Sequence, residues 1–257
     1  METVAKTTTY VRRLAVVLVI LPLVGACGGG NHTGTGGDRP VGRPGTRLVI
    51  TTDNGLRLRP ADGDRVDVDG NVGHHWTHDG DTWVMDLSCA REKDADDRCP
   101  RMPEVDVPSG VGVTVTARNA GIDAAGVSGA LDLTTVNGDV TVTRAGDGDA
   151  TVRLSTRNGS VRAVAVRAGA LHAGTVNGDV VLTCATSPTG VSAVTTNGSV
   201  GVLVPHDAPA YRVTARTDNG RPSVTVPTDA ARDDRTMTLT TVNGDVGAGL
   251  MSAEASS

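Results

Sequence analysis

Phenylalanine is missing from this sequence, and aromatic residues make up only 2% of its 257 positions: Tyr10, Trp76, Trp83 and Tyr211. A thick interior built on large rings is therefore excluded. Any core must come from Val, Leu, Ala and Thr, which suits thin layers of β-branched side chains. Lysine is nearly absent as well (Lys6 and Lys93), so arginine carries almost all the positive charge. The formal net charge is −5, and there is no basic stripe. That argues against nucleic acid as a partner and against electrostatic adhesion to anionic lipid. Long apolar runs are lacking too. The longest, Leu14 to Val24, would rise about 16 Å as a helix, too short for a hydrocarbon core of about 30 Å. No Gly-x-Ser-x-Gly elbow and no convincing Ser/His/Asp set occurs, and the long repetitive part of the chain offers only Tyr211 as an aromatic and is mostly Thr and Val. The chain is not expected to be an enzyme, and no cofactor is expected. The serious enzymatic alternative is a cell-wall polysaccharide-active β-helix.

What the N-terminus does contain is an export signal. Lys6, Arg12 and Arg13 precede the short apolar run, and Val24-Gly25-Ala26-Cys27 follows it. This is similar to a bacterial lipobox, which makes residues 1–26 a lipoprotein signal peptide and Cys27 the acylated mature N-terminus. Each buried methylene contributes about 0.8 kcal/mol, so two or three acyl chains suffice for stable anchoring where one does not. The expected location is the extracytoplasmic face of the cell membrane. Sec export fits better than the twin-arginine route, because the residues flanking Arg12-Arg13 match the latter poorly. Removing 1–26 leaves a net charge of −7, from 21 positive and 28 negative residues. Residues 27–45 are Gly-rich and without apolar periodicity, a tether with a reach of about 23 Å.

The mature chain repeats itself. Thr135-Val136-Asn137-Gly138-Asp139-Val140 recurs around Asn158-Gly159, Asn177-Gly178, Asn197-Gly198, Asn219-Gly220 and Asn243-Gly244. The asparagines are 21, 19, 20, 22 and 24 residues apart. Around each turn, apolar residues alternate as in half-buried strands: Leu131 and Leu133 before, Val140 and Val142 after. Asn-Gly suits a position of positive φ. Two architectures satisfy the pattern. In a β-solenoid each unit is one coil, with Thr and Asn side chains laddered along a corner. In an antiparallel meander or sandwich each Asn-Gly closes a hairpin, pairing Thr135 with Val140 and Leu133 with Val142. Small, uniform core residues favour the solenoid. The predicted organisation is a β cap region over 46–109, a β-repeat domain over 110–248 and a tail over 249–257.

These Thr-x-Asn-Gly-Asp/Ser-Val repeats behind a lipoprotein signal resemble the putative adhesin family DUF4097. The resemblance covers roughly 110–248 and, more weakly, 46–109, where Thr52-Asp53-Asn54-Gly55-Leu56 reads as a degenerate copy. It implies a β-helix-like fold and an envelope location, and it implies no catalytic residues.

In the front region Asp79-Gly80 reads as a two-residue turn, pairing His78 with Asp81, Trp76 with Trp83 and His74 with Met85. The two tryptophans then form either a lid on the end of the repeat stack or a ligand platform. Cys89 and Cys99 are expected to be bonded in an oxidising compartment. Cys184 falls where a small inward side chain is wanted and reads as a buried free thiol. His74, His75 and His78 with Asp79 and Asp81 alternate across a strand, a poor metal set. Asp94, Asp96 and Asp97, like Asp62 with Asp64 and Asp147 with Asp149, read as solvated turns rather than calcium loops. The expected partners are the membrane, through the lipid, and an envelope protein or glycan contacted by the regular Thr and Asn faces. The role is then binding, structural or envelope-sensing. An alternative is an accessory that modulates a membrane envelope-stress partner through the tryptophan lid.

Overall fold

A computed structural model describes residues 41–43, 45–69, 72–87 and 102–252. Cys27, Cys89, Cys99 and the Asp94, Asp96 and Asp97 group lie outside the described residues. Within them the regular structure is entirely β. In chain order the strands begin β1 (Arg47–Thr51), β2 (Leu56–Pro60), β3 (Asp67–Val68), β4 (His75–Asp79), β5 (Thr82–Asp86), β6 (Glu104–Val107) and β7 (Gly112–Thr116). They continue as β8 (Ile122–Ala125), β9 (Leu131–Thr134), β10 (Val140–Thr143), β11 (Thr151–Ser155), β12 (Val161–Val166), β13 (Ala170–Gly174) and β14 (Val180–Cys184). The last are β15 (Gly190–Val194), β16 (Val200–Val204), β17 (Arg212–Asn219), β18 (Pro222–Val224), β19 (Thr236–Asn243) and β20 (Val246–Leu250).

Successive strands of the repeats alternate between two ten-stranded sheets, so that each layer contributes one strand to each. One sheet runs β17-β19-β15-β13-β11-β9-β7-β1-β5-β4, and the other runs β18-β20-β16-β14-β12-β10-β8-β2-β6-β3. Pairing through the repeats is parallel and in register: Leu131 with Val152, Val152 with Leu171, Leu171 with Val191. The hairpin alternative required Thr135 to pair with Val140. Instead β9 pairs with β7 and β11, and β10 with β8 and β12. Antiparallel strand pairs are confined to the front, between β4 and β5 and between β3 and β6. The whole is consistent with a β-helix-like repeat fold.

Burial follows the period of two. Val140, Val161, Val180, Val200 and Val246 form one column behind the Asn-Gly corner, each nearly or fully buried. Burying a side chain of this size contributes roughly 1.5–3 kcal/mol. No one residue dominates the core; stacking of equivalent small ones does. Tyr211 is the exception, a fully buried ring whose hydroxyl donates to the Pro188 carbonyl at 3.0 Å.

The layers are not stacked in chain order. The last pair of strands in the sequence, β19 and β20, lies between the layers of β15–β16 and β17–β18. The chain lays down β17 and β18, returns through 225–235, and inserts its final layer next to β15 and β16.

The front hairpin departs from the expected register. Asp79 pairs with Thr82, His78 with Trp83 and Trp76 with Met85. Gly80 and Asp81 are thus the central residues, and only Gly80 has positive φ, at 56°. That matches a turn demanding glycine first, whereas the expected turn placed it second. Trp76 and Trp83 consequently sit diagonally rather than face to face.

Candidate functional site

The Asn-Gly corner is assembled from three parallel rows of hydrogen bonds. In the first, each Asn Nδ2 donates to the Oδ1 of the Asn in the adjacent layer: Asn158 to Asn137 at 2.9 Å, Asn177 to Asn158 at 2.9 Å, Asn197 to Asn177 at 2.8 Å. Asn243 donates to Asn197 at 2.8 Å and Asn219 to Asn243 at 2.9 Å, following the spatial order rather than the sequence. In the second row, buried threonine hydroxyls donate to the neighbouring layer's turn carbonyl: Thr156 to Gly138, Thr175 to Gly159, Thr195 to Gly178 and Thr241 to Gly198, all at 2.8 Å. The third row alternates acid and hydroxyl. The Ser160 amide donates to Asp139 Oδ1, that of Asp179 to Ser160 Oγ, that of Ser199 to Asp179 Oδ1 and that of Asp245 to Ser199 Oγ. Alternation keeps the carboxylates two layers apart, roughly 10 Å and close to one Debye length at physiological salt.

Glycine is required here by conformation and by room together. Gly178 has φ of 146°, and a Cβ on it would meet the Gly159 carbonyl oxygen. None of the repeat asparagines has positive φ. Asparagine is therefore selected for its side-chain ladder, while its glycine neighbour supplies the backbone freedom.

A further layer went unread in the sequence. Residues 117–121, Ala-Arg-Asn-Ala-Gly, occupy the same corner between β7 and β8, and the Thr135 hydroxyl donates to the Ala120 carbonyl as its counterparts do to glycine. Ala120 in place of glycine hid the copy. The early copy beginning at Thr52 occupies the equivalent corner between β1 and β2, with Thr52 and Leu56 buried.

At the front end, Trp76 and Trp83 are half-buried against the core. Their ring centroids are 6.2 Å apart in an edge-to-face arrangement. His78 lies 4.7 Å from Trp83, and His74 lies 6.0 Å from Trp76. His75 sits on the opposite side of β4, paired with Asp86. Both tryptophans and two histidines are thus brought into one half-exposed cluster at the end of the stack. Among the described residues no three His, Cys, Asp or Glu side chains gather closely enough to hold a metal ion.

The outer face of the β9-containing sheet carries a charged row that the sequence reading passed over: Asp132, Arg153 and His172, paired across β9, β11 and β13. Burial raises the Asp132 carboxyl above its ordinary range, with Arg153 opposing the shift. Burial, then Arg153, lowers His172. Their intervals, 21 and 19 residues, repeat those of Asn137, Asn158 and Asn177, a signal available in the sequence. On the other sheet an open depression of about 370 Å³ is lined by Arg57, Asp69, Met102, Pro103, Glu104 and Asp106. Arg59 and Asp123 pair nearby at 3.0 Å. Burial raises the Asp106 carboxyl, helped by Glu104, Asp67 and Asp62.

Asp147 accepts the amides of Asp149 and Ala150, an ordinary turn. Cys184 is buried at the end of β14, and desolvation pushes its thiol up to about 12.

No family model matches the chain, and no curated protein matches it. Among solved structures it is similar to one described as a putative cell adhesion protein from Clostridium sporogenes ATCC 15579, at 8% identity and a TM-score of 0.36. That match covers 83% of this chain and 98% of the other. It is also similar to one described as a putative adhesin from Bacteroides fragilis NCTC 9343, at 11% identity and a TM-score of 0.37, covering 83% of this chain and 95% of that one.

Proposed function

We propose that this chain is a lipid-anchored, extracytoplasmic adhesin-like protein, a β-solenoid held to the membrane through Cys27 and serving a binding rather than a catalytic role. The observation that carries the reading is the Asn-Gly corner. Its exposed amides are hydrogen-bonded to one another at 2.8–2.9 Å over six layers, so the ridge is held rigid before any partner arrives. A preorganised row loses little side-chain freedom on contact, which favours binding along an extended surface. The export signal, the lipobox-like Val24-Gly25-Ala26-Cys27 and the Gly-rich segment behind it supply the location and the reach.

The aromatic cluster favours a second contact. Half-exposed tryptophans at the end of the stack suit a glycan ring or a membrane-protein surface, so the front end is a contact point for an envelope partner or an envelope-stress protein.

Three measurements test this. Cys27→Ala should move the chain from the membrane to the soluble extracytoplasmic fraction; a variant that stays membrane-bound defeats the anchor. Capture of envelope glycans or proteins should fall at least tenfold in Trp76→Ala with Trp83→Ala; undiminished capture assigns binding to the ridge instead. Release of fragments from cell-wall glycans would overturn the non-enzymatic reading.

A further inference from the structure

The Asn-Gly corner carries a second period, of two layers. Taken in the spatial order of the stack, the residue before each asparagine is Arg118, Val136, Arg157, Val176, Thr196, Val242 and Asp218. A polar residue and a valine alternate at every step. Backbone bonds hold these positions one above another: the amides of Asn137, Asn158, Asn177, Asn197 and Asn243 donate to the carbonyls of Arg118, Val136, Arg157, Val176 and Thr196 at 2.9–3.0 Å. On the other side of the asparagine row, Asp139, Ser160, Asp179, Ser199 and Asp245 alternate in step, each aspartate sharing a layer with a valine. Chain order would break both alternations, because the layer of Asp218 and Arg221 would follow that of Thr196 and Ser199. Insertion of β19 and β20 puts Val242 and Asp245 there instead.

Charge separation accounts for serine between aspartates, but not for the valines. Only the backbone of the valine position takes part in the stacking, so the fold leaves that side chain free to vary. Val136 and Val176 are half-exposed, and Val242 is exposed. Each aspartate uses one carboxylate oxygen within the stack, accepting the amide of Ser160, Ser199 or Arg221. Among the described residues none of the three has an ion-pair partner. Along the ladder each Asn Nδ2 uses one of its two N–H groups, leaving the other for a ligand.

We propose that this ridge binds an extended β-1,4-linked glycan carrying N-acetyl groups, laid along the asparagine row; the proposal rests on the adhesin-like reading above and names its ligand. In such a glycan each sugar advances the chain by close to one strand spacing and is turned over relative to the last. Acetamido and hydroxymethyl groups therefore alternate along each edge, and the ridge alternates with them. In the valine–aspartate layers the acetyl methyl rests on valine at one edge, and the hydroxymethyl donates to aspartate at the other. In the intervening layers the sugar is inverted, its hydroxymethyl meeting Arg118, Arg157 or Thr196 and its acetamide meeting Ser160 or Ser199. Two layers span roughly 10 Å, whereas an extended peptide returns to the same side about every 6.7 Å and falls out of step. A polyproline helix repeats about every 9.3 Å, but the grooves that hold one are lined with aromatic rings, and the ridge has none.

The test titrates the full-length chain, in mild detergent, with the β-1,4-linked hexamer of N-acetylglucosamine. Calorimetry up to about 5 mM sugar should detect binding. The N-acetylglucosamine dimer and the β-1,4-linked glucose hexamer should each bind at least tenfold more weakly. Val176→Thr with Asp179→Ser rewrites residues 175–180 as a copy of 195–200. That sequence already forms a layer, so the variant should remain folded and should weaken hexamer binding at least tenfold. Val176→Thr alone should lower the preference for the acetylated hexamer over the glucose hexamer. Trp76→Ala with Trp83→Ala should leave hexamer affinity within twofold, even where it lowers capture from envelope extracts, because the two contacts are separate. Absence of hexamer binding, equal affinity for the glucose hexamer, or indifference to the paired Val176→Thr and Asp179→Ser change overturns the proposal. Loss of hexamer binding in the tryptophan variant instead moves the glycan to the front cluster, which overturns the ridge site and leaves the adhesin-like reading standing. Release by Cys27→Ala is read separately, so a failed anchor and a failed glycan site cannot be confused.

Discussion

Each layer of this protein turns two corners, and they are built on opposite principles. At the Asn-Gly corner five residues connect the strands in each layer from β7–β8 to β15–β16, the longer strands of the last two layers leave two, and side chains bond layer to layer. At the other corner the connections run over 144–150, 167–169, 185–189, 205–211 and 225–235, and their lengths range from three residues to eleven. The first corner sets the stacking distance and the register. The second absorbs the variation in repeat length, because its layer-to-layer bonds come from backbone groups and the Thr189 hydroxyl rather than from a side-chain row repeated in every layer.

The sharpest way to break this contrast is at glycine. A Cβ on Gly178 would overlap the Gly159 carbonyl oxygen, at a φ that side chains rarely adopt. Gly178→Ala should cost at least about 3 kcal/mol, strain and overlap together, and neighbouring layers cannot yield without breaking their own rows. Gly190 leads out of the variable corner and has open space around its Cβ position. Gly190→Ala should change stability by less than about 0.5 kcal/mol. Urea unfolding of the two variants measures the contrast, and equal losses would remove the distinction between the corners.

Next in size is the buried threonine. Thr175 is 5% exposed, and its hydroxyl satisfies the Gly159 carbonyl. Thr175→Val keeps the shape and removes the donor, for an expected loss of about 1–2 kcal/mol. Thr175→Ser should recover most of it. If the serine variant is no better than valine, the methyl group rather than the hydroxyl is what the corner needs.

The variable corner carries a titratable marker of its own. Cys184 stands where β14 ends, and burial raises its thiol from 9.0 to about 12. The neutral thiol is the form the fold accommodates. The full contribution to stability is present below pH 9; above it the unfolded chain gains by ionising while the folded chain does not. At pH 10 the fold should lose about 1.4 kcal/mol relative to pH 8, and Cys184→Ala should lack that slope. Parallel pH profiles for the two chains would mean that the thiol reaches water.

What the sequence made legible follows the same divide. The tight corner repeats in space because it repeats in the chain, so Asn137, Asn158, Asn177 and Asn197 could be read as one row without coordinates. The order of the last two layers could not. Asn219 and Asn243 present identical amides to Asn197, and either could dock there; the choice is made by 225–235, which has no repeat to read. The layer at 117–121 was hidden because Ala120 replaces the expected glycine. The tryptophan register is hidden because Asp79-Gly80 and Gly80-Asp81 both suit a two-residue turn, and the protein uses the second, keeping Asp79 in the strand. The charged row of Asp132, Arg153 and His172 was visible in principle, since its spacing copies that of the ladder, but outward strand positions tolerate almost any residue and draw no attention.

The smallest expected effect probes the alternation of Asp139, Ser160 and Asp179. Ser160 separates two carboxylates, and its hydroxyl accepts the Asp179 amide at 3.2 Å. Ser160→Asp keeps an acceptor there but sets three carboxylates on adjacent layers, about 4.8 Å apart. Exposed charges at that spacing repel by roughly 1 kcal/mol per pair before screening, so the net loss should be about 0.5–1 kcal/mol at physiological salt, and larger at low salt. Ser160→Asn supplies the acceptor without the charge and should cost less, with no dependence on salt. Stability of both variants in 10 mM and 500 mM NaCl separates the causes. A loss in Ser160→Asp that salt does not relieve would mean that the serine is held by packing at the corner, and that the spacing of charge along the ridge is incidental.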